Sequence, residues 1–183
     1  MPKRFAYYDK LGAGSKRTYR KSDRILRVEL PDAAPLGPLA RGIDGALETG
    51  QRGNVESACQ ALVDALNGAL GTPAVRVRVL ERRPANAEGE LQGLYEPGEV
   101  TGGIARITVW MRTAQREQVV KFRTFLRTLL HEVCHHLDYE LYGLDETFHT
   151  EGFYSRESSL MRELLGERTK DGEEPGGRPQ RAE

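Results

Sequence analysis

The chain has 183 residues, with 27 Lys or Arg balanced by 27 Asp or Glu and no formal net charge. That length suits one domain whose core stands without disulfide staples, and the charge balance argues against nucleic acid or membrane as a global partner. The two cysteines, Cys59 and Cys134, lack C-x-x-C spacing, which excludes a cysteine zinc ribbon within the chain and speaks against a disulfide framework. No apolar run reaches the roughly 18 residues of a membrane span, and no apolar signal-peptide core opens the chain, so a cytoplasmic protein without a membrane partner is expected.

Charge is unevenly spread: residues 1 to 30 carry nine Lys or Arg and three acids. Residues 1–22 read as a solvated basic N-terminal arm, with weak nucleic-acid contact as the sharper alternative. "RILRVEL" sets Leu26, Val28 and Leu30 against Arg27 and Glu29, which predicts a strand. "PDAAPLGPLARG" is rich in proline and glycine and reads as a loop. "NVESACQALVDALNGALG" puts Val55, Ala58, Cys59, Leu62, Leu66 and Leu70 at helical spacing, between a cap at Asn54 and a stop at Gly71.

"AVRVRVLER" alternates Val75, Val77 and Val79 with Arg76 and Arg78, as a half-buried strand does. "ELQGLYEPGEVTGG" reads as a second strand entering a turn, and "IARITVWMR" as a third. The outer face of that third strand, with Thr108 and Trp110, is only half polar and suits a cleft lining. From about Thr113 to Tyr142 the period becomes helical, through Val119, Phe122, Leu126, Leu129, Val133, Leu137 and Leu141, and Gly143 ends it. "TEGFYSRESSLMRELLGER" resumes helical spacing through Phe153, Leu160, Leu164 and Leu165. Residues 168–183 form a charged Gly/Pro-rich segment expected to be a disordered tail.

All four histidines, His131, His135, His136 and His149, fall within the long helix and the connection after it. At 100° per residue from Leu129, the apolar stripe covers about 40° to 120°, while His131 lies near about 200° and His135 near about 240°. The pair therefore shares a face that is not the buried one, and His136 points elsewhere. Histidines at i and i+4 can grip one metal ion, and His131-Glu132-Val133-Cys134-His135 is an H-E-x-x-H sequence. In that motif the glutamate acts as general base on a metal-bound water. A catalytic zinc needs a third protein ligand. His149, returned by the break at Gly143, is favoured, and Glu157 on the next helix is the rival. Asp138 shares the histidine face and suits orientation of His135 through its other ring nitrogen. Tyr154, Tyr142 and Arg156 are candidate oxyanion donors.

H-E-x-x-H, a short connection, and a lone histidine followed by x-x-x-Phe (His131, Glu132, His135, His149 and Phe153) resemble SprT-like zinc metallopeptidases and, more broadly, minimal single-domain zincins. The resemblance covers roughly residues 54 to 165. It implies an α+β fold in which a small, mostly antiparallel sheet packs on the active-site helix and further helices. Residues 23–167 would form the metallopeptidase domain, and the reaction would be zinc-dependent hydrolysis of peptide or protein substrates. In zincins the strand before the active-site helix lies at the cleft edge and pairs with extended substrate; here that would be "ITVWM". The acidic, aromatic connection between His135 and His149 and the missing C-terminal zinc ribbon depart from the SprT-like pattern. The alternative is a non-catalytic, zinc-containing peptide-binding or nucleic-acid-associated module. The basic arm is expected to be dispensable for chemistry and metal binding, because it lies outside the resembling stretch and shows no ligand or nucleophile spacing.

Overall fold

The computed structural model describes residues 5–86 and 89–167. The expected tail at 168–183 and the first four residues of the expected arm lie outside the described residues. Among the described residues the chain is α+β. Helices α1 (Ala13–Asp23), α2 (Leu36–Glu48) and α3 (Arg52–Leu70) come first, then strand β1 (Val75–Arg82). A two-stranded ribbon of β2 (Ala85–Asn86) and β3 (Gly89–Glu90) precedes β4 (Gly93–Glu96), the short α4 (Gly98–Thr101) and β5 (Ala105–Arg112). The long α5 (Phe122–Glu140) and α6 (Glu151–Leu165) close the fold. No helix of the described residues is long and apolar enough to cross a membrane.

The main sheet has the order β1-β5-β4, with β5 parallel to β1 and antiparallel to β4. It is therefore mixed rather than mostly antiparallel. The expected edge strand "ITVWM" is central: both of its sides carry strand partners, and Thr108 and Trp110 are buried. The exposed edge next to the histidine helix belongs to β4 instead. Alternation places Val75, Val77 and Val79 of β1 and Ile107, Val109 and Met111 of β5 in the core. Against them pack Val55, Cys59, Leu62 and Leu66 of α3 and Leu126, Leu129, Val133 and Leu137 of α5. Each fully buried leucine contributes about 1.5–3 kcal/mol over an exposed one.

Four local expectations are corrected. The stretch read as a loop at 31–42 contains the start of α2. Pro38 falls in the helix's first turn, where backbone N–H groups have no intrahelical acceptor, so the proline costs little. Leu36, Ala40, Ile43 and Leu47 then recur on one buried face. "RILRVEL" forms no strand: Val28 is buried, but Leu26 is 61 % exposed, so its alternation does not mark a single face. The long helix starts at Phe122 rather than near Thr113, because residues 113–120 fold back on β5. There Val120 N–H donates to the Met111 carbonyl at 2.8 Å, and Thr113 N–H to that of Gln118 at 3.0 Å. Residues 13–22, expected in a solvated arm, belong to α1, which packs on α6 with Tyr19 and Ser22 buried.

Candidate metal centre

The core face of α5 fixes the rotation of the helix and leaves His131 and His135 one turn apart on the opposite side. Gly143, at φ +54°, turns the chain after α5, and Thr150 caps α6 by accepting from Phe153 N–H at 2.9 Å. The connection between those points returns His149 to the helix. The Nε2 atoms of His131, His135 and His149 form a triangle with sides of 2.9, 3.1 and 3.3 Å. Phe153 is buried behind them, with ring centroids 4.9, 4.7 and 5.2 Å from the three imidazoles in the same order.

The outer ring nitrogens set the tautomers. Thr147 donates its hydroxyl to Asp138 Oδ2 at 2.8 Å, so its oxygen accepts from His135 Nδ1 at 2.7 Å. His131 Nδ1 donates to Glu157 Oε2 at 2.9 Å. Both rings then carry their proton on Nδ1 and aim an Nε2 lone pair at one point shared with His149. Burial, followed by the neighbouring imidazoles, pushes His135 down to about 3, and burial lowers His149 as well. Neutral imidazole is the ligand form. Converging lone pairs repel unless a cation lies among them. A tetrahedral ion with bonds of 2.0–2.1 Å has ligand atoms about 3.4 Å apart, close to the triangle found. The three histidines thus lie near enough to hold one metal ion.

Glu157, the rival third ligand, points at the far nitrogen of His131 and is also paired with Arg127 at 2.9 Å. Its place is behind His131. Asp138 does orient His135, but through Thr147 rather than directly, and it is buried by an ion pair with Arg156 at 2.7 Å. That pair also takes Arg156 out of the list of oxyanion donors. Tyr142 leaves it too: its hydroxyl reaches the Arg27 carbonyl at 3.5 Å, in a separate groove away from the histidines. Tyr154 remains, 41 % exposed, its ring centroid 5.9 Å from that of His149. His136 is a core histidine, with Nε2 donating to the Pro73 carbonyl at 3.0 Å and Tyr95 Oη at 3.2 Å from Nδ1.

Glu132 lies under β4. Burial pushes its carboxyl up to about 7, against the opposing pull of His131 and of the Tyr95 backbone N–H that it accepts. Gly93 makes the close approach possible: a Cβ there would meet the Glu132 carboxyl carbon at 2.8 Å. On one side of Glu132 opens a cleft of about 540 Å³ lined by Thr124, Arg127, Thr128 and Tyr154. On the other lies a hollow of about 280 Å³ lined by Leu94, Tyr95, Pro97 and Tyr139.

Sequence reasoning missed Thr147 and Gly93. A glycine within a strand is a known sign of close backbone approach, so "QGLYE" held a usable signal for Gly93. Nothing in the spacing of Thr147 marked it. No protein-family model, curated protein or solved structure matches this chain.

Proposed function

We propose that the chain is a zinc-dependent endopeptidase with a minimal zincin fold, acting on extended peptide or protein segments. The observation that carries this reading is the convergence of His131, His135 and His149 on one point beside the buried Glu132, at the junction of two open hollows. All-nitrogen ligation by three neutral imidazoles suits zinc, which commonly takes three protein ligands and keeps a fourth position open in catalytic sites. When bound there, zinc supplies acidification of a water to a pKa of about 7 and polarisation of the scissile carbonyl.

The residues divide the remaining work. Glu132, held near neutrality by burial, accepts the proton of the attacking water and returns it to the leaving amine nitrogen. The outer edge of β4 offers backbone donors and acceptors to a substrate strand whatever its side chains. Tyr154 Oη donates to the developing oxyanion. Thr147, Asp138 and Glu157 keep the two helix imidazoles in register.

The test uses zinc-loaded protein and an unfolded protein substrate. Wild type is expected to cut it, Tyr154→Phe more slowly, and chelator-treated protein not at all. A wild-type protein that holds zinc and binds peptides but cuts none would instead be a peptide-binding module.

A further inference from the structure

The N-terminal segment, residues 5–25, is bonded to the loop that carries His149. Tyr7 Oη donates to the His149 carbonyl at 3.2 Å. Lys21 Nζ donates to the carbonyls of Tyr142 and Gly143 at 2.7 and 3.3 Å. The hydroxyls of Ser22 and Thr150 stand 3.4 Å apart, and Asp23 accepts from Gly152 N–H at 3.1 Å. Tyr7 also stacks on Phe148, with ring centroids 6.3 Å apart. The loop is therefore held at its start, at the ligand and at its end. The approach at the end is so close that a Cβ on Gly152 would lie 2.6 Å from the carbonyl oxygens of Ser22 and Asp23.

A second line of contacts runs from the same segment to His135. Arg156 is fully buried, and its Nη1 donates to the carbonyls of Ser22 and Ile25, both at 2.7 Å. Its Nη2 donates to Asp138, which holds Thr147, which holds His135 Nδ1. Meanwhile, among the described residues, the main apolar core contains none before Val28. The buried rings of the segment, Tyr8 and Tyr19, pack beside one another with centroids 4.9 Å apart, and Tyr19 lies 5.9 Å from Phe148. Tyr19 thereby adds an aromatic contact to the loop that carries His149.

We infer that Tyr7, Lys21 and Asp23 are positioning residues for the third ligand. The N-terminal segment completes the metal centre, and metal affinity is linked to its docking. This rests on His131, His135 and His149 being metal ligands. A loop released from the segment leaves two helix histidines and a mobile third, which is a weaker site. Linkage is reciprocal: whatever factor docking adds to zinc affinity, zinc adds to docking.

The test is made on the full chain with Zn²⁺ alone, by competition against a chelating indicator, so peptidase activity does not enter. The triple variant Tyr7→Phe, Lys21→Met, Asp23→Ala removes the side-chain hydrogen bonds of Tyr7, Lys21 and Asp23 while leaving the main core untouched. Its zinc dissociation constant should rise about 10- to 100-fold, the range for outer partners of metal ligands. A merely structural role would destabilise metal-free and metal-loaded protein alike and leave that constant unchanged, which would overturn the inference. In wild type, zinc should slow native-state trypsin cleavage after Lys21 and Arg24, because cleavage tracks the undocked population. Cleavage indifferent to zinc would also overturn it. Wild type without a tight zinc site would overturn the metal centre itself, whereas equal tight binding in wild type and triple variant removes only the role of the segment.

Discussion

His131 and His135 stand on α5, whose other face is locked among Leu126, Leu129, Val133 and Leu137 in the core. His149 stands on a connection without regular structure, held by polar contacts from α1 and the residues before it. Burial of α5 fixes the first two histidines, and long-range hydrogen bonds fix the third. Close apolar packing holds a helix through many contacts at once, whereas a loop histidine depends on each bond that defines its path. A metal centre built in this way has a rigid half and an adjustable half, and mutations should separate them.

The largest effect is expected at Glu132, which belongs to the rigid half but binds no metal. Glu132→Gln should keep its zinc and lose about 100-fold or more in the rate of peptide cleavage, as removal of a general base does. Full-speed cleavage by that variant would refute the mechanism. Next is His149→Ala, which should lower zinc affinity by more than the roughly 10- to 100-fold expected of an outer partner. Zinc-competition titration decides it. A tight site in His149→Ala beside a weak one in Glu157→Ala would move the third ligand to the carboxylate.

Leu129→Ala probes the core beneath the rigid half. Leu129 is completely buried, so its loss should reduce unfolding free energy by about 2–5 kcal/mol. Zinc affinity of the folded protein should stay unchanged, as denaturant curves and titrations together would reveal. A large loss of affinity would mean that α5 is not the rigid element described. The smallest effect is expected at Thr147→Val, which removes the hydroxyl between Asp138 and His135. Zinc affinity should fall about 10- to 100-fold, with serine at that position restoring most of it. Equal affinity in the valine variant would show that packing alone orients His135.

Most of the centre was readable from spacing. The helical period through Leu126, Leu129, Val133 and Leu137 put His131 and His135 on one face away from the core before any contact was known, with Glu132 named by the motif between them. Glycine stops at 71 and 143 were readable as well, since both adopt the left-handed conformation that glycine favours. Pro38 misled, because proline in a first helical turn looks the same in sequence as proline in a loop. The alternation of "RILRVEL" misled for a related reason: a strand also needs a neighbour to pair with, and residues 25–30 have none in the sheet.

Helix faces and ligand type follow from local rules, because a period of 3.6 residues and the chemistry of imidazole act over one or two turns. Strand order, the route of the His149 loop and the partners behind each ligand do not. The central place of β5 depends on β1, some thirty residues earlier. The orientation of His135 depends on Thr147, Asp138 and Arg156, and Arg156 in turn depends on Ser22, 134 positions away. Such contacts are set by which surfaces meet when the chain collapses, and no local period carries that information.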